Sequence, residues 1–171
     1  MKEYRVFYER STAFMKKCKS PEKVLTFLNR FLTITIGLLY LIGGALSAFS
    51  LFGEPLPTLF SIGLPLACTL VSVTLLRFFI PRKRPYDQEG AAIEPLCQKS
   101  KKTNSFPSRH TACAFVIGTV LCTLSLWLAI PTFLLGFCLA YVRFLSGFHF
   151  PTDLLGGALL GTGFGIIAFF L

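Results

Sequence analysis

Thr111 to Val142 reads TACAFVIGTVLCTLSLWLAIPTFLLGFCLAYV and contains no charged residue. Three further runs share the property: Phe31–Gly53, Leu56–Leu76 and Leu154–Leu171. An apolar helix of about 20 residues crosses a bilayer. A soluble bundle would interrupt each run with a polar stripe at helical spacing, and none is present. Composition agrees: the 171 residues are 53% hydrophobic and 15% charged, with a mean hydropathy of +0.65. Soluble domains carry about a quarter charged residues. The pattern predicts an all-α, multi-pass transmembrane bundle forming a single domain over residues 1–171.

The opening run is too long for one crossing. A proline pushes the residue before it out of helical geometry, so the sequence divides at Ile130-Pro131. Five spans follow: Phe31–Gly53, Leu56–Ile80, Ser108–Ile130, Pro131–Phe148 and Pro151–Leu171. Residues 1–30 carry Lys2, Arg5, Arg10, Lys16, Lys17, Lys19, Lys23 and Arg30, with Tyr4, Phe7, Phe14 and Met15 interleaved. They read either as an amphipathic helix on an anionic membrane surface or as a basic stop before a span. They do not read as a secretory signal, because the charges precede any apolar core. Ser20 and Pro21 have the chemistry of an N-cap and a first helical residue, so a second helix begins there and runs into the first span.

Of the 6 cysteines, Cys68, Cys113, Cys122 and Cys138 fall within spans, where a thiol behaves as a small hydrophobe. Cys18 and Cys97 have no paired spacing, and neither a disulfide framework nor a zinc site is expected. All 17 lysines and arginines lie in the N-terminal segment, in Arg77 to Arg109, or at Arg143. Five spans in series place these on one side of the membrane, which the positive-inside rule identifies as the cytoplasm.

Ionisable residues at the edge of a span are costly and mark function. Three groups stand out: Arg77 and Arg84-Pro85; Ser108-Arg109-His110; and Arg143, His149 and Asp153. Singly each has a bland explanation. Arginine snorkels, Ser108 caps a helix, Asp153 sits in a helix's first turn, and Arg82 and Lys83 are basic residues beside a span. Together they tell otherwise, because the alternation of spans brings all three groups to one face and they contain both histidines of the chain. Four like charges around two histidines would repel unless a multiply charged anion sits among them. The guanidinium fork suits phosphate oxygens, and a helix N-terminus near Ser108 adds N–H donors.

The histidines then take chemical roles. A neutral imidazole beside phosphate attacks phosphorus to give a covalent intermediate, the role assigned to His149. Asp153 would hold its other nitrogen, and His110 would protonate the leaving oxygen. The carboxylates Asp87, Glu89 and Glu94 are scattered, so no metal or other cofactor is expected. No nucleic-acid partner is expected either; the partners are the bilayer and a membrane lipid phosphate.

These groups resemble the three signature motifs of the type 2 phosphatidic acid phosphatase superfamily. Arg77 precedes Arg84-Pro85 at the interval of the first motif (residues 77–85). Pro107-Ser108-Arg109-His110 matches the second, and Arg143, His149 and Asp153 the third (residues 143–153). Three departures stand out: Arg77 where lysine is usual, Arg109 in place of glycine, and Val142 in place of serine. The resemblance implies a membrane phosphatase acting on lipid phosphates or diphosphates through a phosphohistidine at His149. It also implies phosphate binding by Arg77, Arg84, Ser108 and Arg143, with Arg109 contributing its backbone N–H. Members include bacterial phosphatidylglycerophosphate and undecaprenyl diphosphate phosphatases. Many have six spans and act at the outer face, whereas the charge pattern here points inward. Two alternatives remain at this point, a lipid phosphotransferase using the same intermediate and a non-enzymatic anion or lipid-phosphate transporter. Gly157, Gly161 and Gly165 recur at the spacing that lets membrane helices approach closely.

Overall fold

A computed structural model describes residues 2–49, 55–88, 93–98 and 104–171. Six α-helices account for most of them: α1 Lys2–Lys16, α2 Pro21–Ala48, α3 Pro55–Phe79, α4 Arg109–Leu121, α5 Leu126–Leu145 and α6 Pro151–Ile166. Short 3₁₀ turns occupy Pro85–Asp87 and Ile167–Phe169, and no strand occurs among the described residues. The end of the first predicted span at Gly53 and the loop carboxylate Glu89 lie outside them.

Four stretches are long and apolar enough to cross a membrane: Pro21–Ser47, Phe60–Phe79, Leu126–Leu145 and Pro151–Phe169. The third predicted crossing, Ser108–Ile130, begins with the shorter α4, whose 13 residues extend about 20 Å. Its position explains its length. Ten of its residues are buried, and it packs against α6, α5 and α3 at the centre of the bundle, away from lipid.

The break between the third and fourth crossings falls at 122–125 and not at Ile130-Pro131. Cys122, Thr123 and Leu124 donate to the carbonyls of Thr119, Val120 and Leu121 in a tight turn. Ser125, with extended backbone, starts α5 by accepting from Leu128 and Ala129. Pro131 lies six residues into α5. A proline so near a helix start removes one ladder bond, which the rest of the helix tolerates.

The outer surface is apolar, as a bilayer solvent requires. Phe31, Leu38, Leu41, Leu134, Phe137, Leu155 and Leu159 are exposed, and Trp127 at the start of α5 is 89% exposed, suited to the headgroup level. Outward hydroxyls are satisfied within their own helices: Thr33 donates to Asn29 O at 2.7 Å, Thr35 to Phe31 O at 2.9 Å and Thr74 to Leu70 O at 2.8 Å.

The glycines of α6 set the central contact. A Cβ at Gly161 would run into the backbone carbonyl of Ala112, one at Gly157 would meet Ser108 O at 2.6 Å, and one at Gly165 would meet Thr119 Cβ at 2.5 Å. All three glycines therefore face α4 and let the two helix backbones touch.

The N-terminal helix forms as expected but uses its aromatics differently. Tyr4, Tyr8, Thr12 and Met15, spaced along one face, turn toward the bundle, while Phe7 and Phe14 remain exposed. Tyr8, almost fully buried, donates to Leu145 O at 3.0 Å and meets Phe144 edge-on, and Tyr4 packs on Phe150 with ring centroids 4.8 Å apart. Helix α1 is thus clamped onto the turn that joins α5 to α6. Pro21 opens α2 as its first residue, and Ser20 precedes it without a side-chain capping bond.

Candidate active site

Each of the three sequence groups sits where a helix begins or ends, and the bundle gathers those ends at one pole. Arg77 lies in the last turn of α3, Arg109 and His110 open α4, Arg143 lies in the last turn of α5, and Asp153 lies in the first turn of α6. Arg84 comes from the loop after α3 and His149 from the turn between α5 and α6. That turn depends on Gly147, whose φ of 79° suits glycine and where a Cβ would meet Tyr8 Oη at 2.9 Å.

His149 and Asp153 form the centre. His149 is 1% exposed and Asp153 is wholly buried. Arg143 Nη2 lies 3.3 Å from His149 Nε2. A guanidinium can only donate, so Nε2 accepts and the ring proton belongs on Nδ1. Nδ1 faces Asp153 Oδ2 at 3.7 Å, beyond hydrogen-bond distance, and has no other partner among the described residues. Burial, reinforced by the charges of Arg143 and Arg84 and opposed by Asp153, pushes the imidazole down to about 4. The ring is therefore neutral at physiological pH, with its Nε2 lone pair turned toward the arginines.

Asp153 is both cap and partner. Its Oδ2 accepts the Phe150 N–H at 2.9 Å, capping α6, and its Oδ1 accepts from Arg82 Nη1 at 2.7 Å. The same Arg82 nitrogen reaches Thr152 Oγ1 at 2.8 Å, and the guanidinium lies over the Phe150 ring, 4.5 Å from its centroid. Arg82 is thus part of the site, against its reading as one basic residue beside a span. The sequence held no signal for this, because the partner lies 71 residues onward and both groups are common at membrane edges.

The arginines differ in what they hold. Arg77 donates Nε and Nη2 to Pro107 O at 3.0 and 2.9 Å, so part of its fork fixes the loop before α4, where the Phe106–Pro107 peptide is cis. Asn104 Nδ2 donates in turn to Arg77 O. Arg84 is buried and reaches Phe148 O at 3.4 Å. The Phe148 ring centroid lies 5.8 Å from the Arg84 guanidinium carbon and 5.0 Å from that of Arg143, so one π system is within cation–π reach of both. Arg143 also approaches Asn29 Oδ1 of α2 at 3.4 Å, a contact no motif announced, and its Nε is buried without a partner among the described residues.

Ser108 is completely buried at the N-cap of α4. Its N–H donates to Asp153 O at 2.9 Å, tying the second sequence group to the third, and its Oγ accepts from Thr111 Oγ1 at 3.0 Å. Arg109 is exposed. His110 lies within electrostatic reach of Arg143, His149, Arg77 and Arg109. The fold therefore brings every sequence-predicted site residue to one pole. Among the described residues no three of His, Cys, Asp and Glu converge as a metal site.

An apolar cavity of about 600 Å³ opens beside this pole. Ile36, Gly37 and Tyr40 of α2, Leu66 and Leu70 of α3, and Ile117 of α4 line it, with Arg109 and His110 among its walls.

Two solved structures resemble the chain. LpxE of Aquifex aeolicus is 27% identical with a TM-score of 0.61, over 87% of this chain and 94% of that one. A transmembrane PAP2-type phosphatidylglycerolphosphate phosphatase from Bacillus subtilis is 23% identical with a TM-score of 0.67, over 98% and 85% respectively, a likeness of fold. No curated protein matches the chain. The family model of the PAP2 superfamily matches residues 55–171, the part that holds α3 to α6 and all three sequence groups, and the chain belongs to that superfamily.

Proposed function

We propose that the protein is a metal-independent membrane phosphatase that hydrolyses a lipid phosphate or diphosphate through a phosphohistidine at His149. The observation that carries the reading is the buried line Arg143–His149–Asp153, with Nε2 toward the arginine at 3.3 Å and Nδ1 toward the carboxylate at 3.7 Å. In the first step Nε2 attacks phosphorus, the bond from phosphorus to the ester or bridging oxygen breaks, and His110 gives that oxygen a proton. In the second, water attacks phosphorus, His110 takes its proton, and phosphate leaves with His149 restored.

The charge of the phosphoryl group meets Arg77, Arg84 and Arg143, with the Ser108 hydroxyl and the Arg109 backbone N–H at the start of α4 as further donors. These guanidiniums supply the positive charge that a metal brings elsewhere. Positive charge developing on the imidazole is stabilised by Asp153, which needs to close less than 1 Å to reach hydrogen-bond distance. The apolar cavity beside His110 offers room for a lipid tail, which supports phospholipid or polyprenyl classes over soluble phosphates.

The site faces the cytoplasm in this reading. Helix α1, which carries much of the N-terminal basic charge, is docked on the catalytic turn, so the charge and the site share one face. The test is hydrolysis of a short-chain phosphatidic acid in detergent micelles. His149→Ala is expected to lower kcat by roughly 10⁴-fold, in line with loss of a nucleophile. Phosphate release at the wild-type rate by that variant overturns the assignment.

A further inference from the structure

We propose that Arg82 is a positioning residue for the reaction, acting on the nucleophile through Asp153. This rests on the reading of His149 as nucleophile and assigns a role to a side chain outside the three sequence groups. The two carboxylate oxygens of Asp153 have divided tasks. Oδ1 is bound by Arg82 at 2.7 Å, and Oδ2 accepts the Phe150 N–H and looks toward His149 Nδ1. Four groups therefore lie in sequence, Arg82, Asp153, His149 and Arg143, with the ring between a carboxylate and a cation.

The need for such a residue follows from the surroundings. Asp153 is wholly buried near several cations, and a carboxylate free to rotate would turn toward whichever guanidinium offered two N–H groups. Its neighbours by charge are Arg82 from the loop, Arg77 from α3, Tyr4 from α1 and His149 from the turn. The Arg82 bond to Oδ1 holds the carboxylate plane so that Oδ2 keeps facing Nδ1. It also keeps a buried negative charge compensated, without which the anion is costly.

Arg82 is itself held in place. Its backbone carbonyl accepts the Ser105 N–H at 2.9 Å, its Nη1 also binds Thr152 Oγ1, and its guanidinium lies on Phe150, whose ring also packs against Tyr4. Helix α1 thus backs the same stack. A surface ion pair that only fastened α6 would need none of this.

The test uses the full chain in detergent micelles with short-chain phosphatidic acid as probe. Arg82→Ala is expected to lower kcat by roughly 10- to 100-fold, the scale of a misplaced catalytic group, with KM within about two-fold of wild type. Arg82→Lys is expected to recover part of the loss, and added guanidinium ion to raise kcat of Arg82→Ala but not of wild type. Wild-type kcat in Arg82→Ala overturns the proposal. So does a KM increase at constant kcat, which would mark a direct phosphate contact, or a kcat loss that neither lysine nor guanidinium restores. If Arg82→Ala aggregates, Arg82→Gln and Arg82→Lys carry the same comparison. A parallel His149→Ala separates the two claims. Activity retained there removes both, whereas activity lost there with Arg82→Ala unaffected removes this one alone.

Discussion

At the scale of single residues, the account turns on a histidine kept neutral by its surroundings. Burial and two arginines hold His149 down to about 4 against an ordinary value of 6.5. An imidazole that attacks phosphorus must be neutral, so under the proposed mechanism kcat/KM of the free enzyme is expected to lose its His149 contribution only as pH falls through about 4. An acid limb at about 6.5 assigned to His149 would contradict this. The stability sign follows from the same shift. Between about 4 and 6.5 the unfolded chain binds the proton and the folded chain does not, so stability declines as pH falls across that window. Histidine, arginine and aspartate at these positions were legible in the sequence because a membrane edge penalises such groups. The contacts of Arg82 and Asn29 were not, since one aspartate–arginine pair among many basic residues carries no periodic signal.

At the scale of elements, the packing of α6 on α4 holds the second sequence group against the third. The Ser108 N–H bond to Asp153 O exists because Gly157 and Gly161 let the two backbones meet. Gly161→Ala is therefore expected to destabilise the protein by about 1–3 kcal/mol, the usual cost of overpacking. Gly163 is the control: it lies on the same helix, but a Cβ added there would meet nothing within 4 Å. Gly163→Ala is expected to be neutral or slightly stabilising. Thermal unfolding of the two variants in detergent decides, and equal melting temperatures would refute the packing argument. The glycine spacing was readable in sequence, but the turn at 122–125 was not. Proline is the strongest local breaker, yet near a helix start it costs one bond, and the bundle places the boundary at Ser125. Tyr4 and Met15 were likewise readable as part of an amphipathic segment, while Tyr8 was not, because which side of α1 faces protein depended on the α5–α6 turn it meets.

At the scale of the whole molecule, four long apolar stretches and one short central helix create a pole where charge collects, with an apolar exterior around it. The membrane class and the order of the crossings were legible because apolar run length is set by bilayer thickness. The length of α4 was not, because a helix shielded by its neighbours need not match that thickness. Cys18 is exposed in the link between α1, which docks on the α5–α6 turn, and α2, whose Asn29 meets Arg143. In sealed right-side-out vesicles, a variant retaining only Cys18 is expected to resist a membrane-impermeant maleimide and to label once the vesicles are opened. Labelling of intact vesicles would place the active site on the outer face.

The central claim is that phosphate passes through His149. Rapid acid-free quenching during turnover of ³²P-labelled short-chain phosphatidic acid, followed by peptide mapping, tests it directly. The account predicts an acid-labile, alkali-stable phosphate on the peptide bearing His149, absent from His149→Ala. Label on another residue, or steady turnover with no covalent phosphate in either protein, would contradict it.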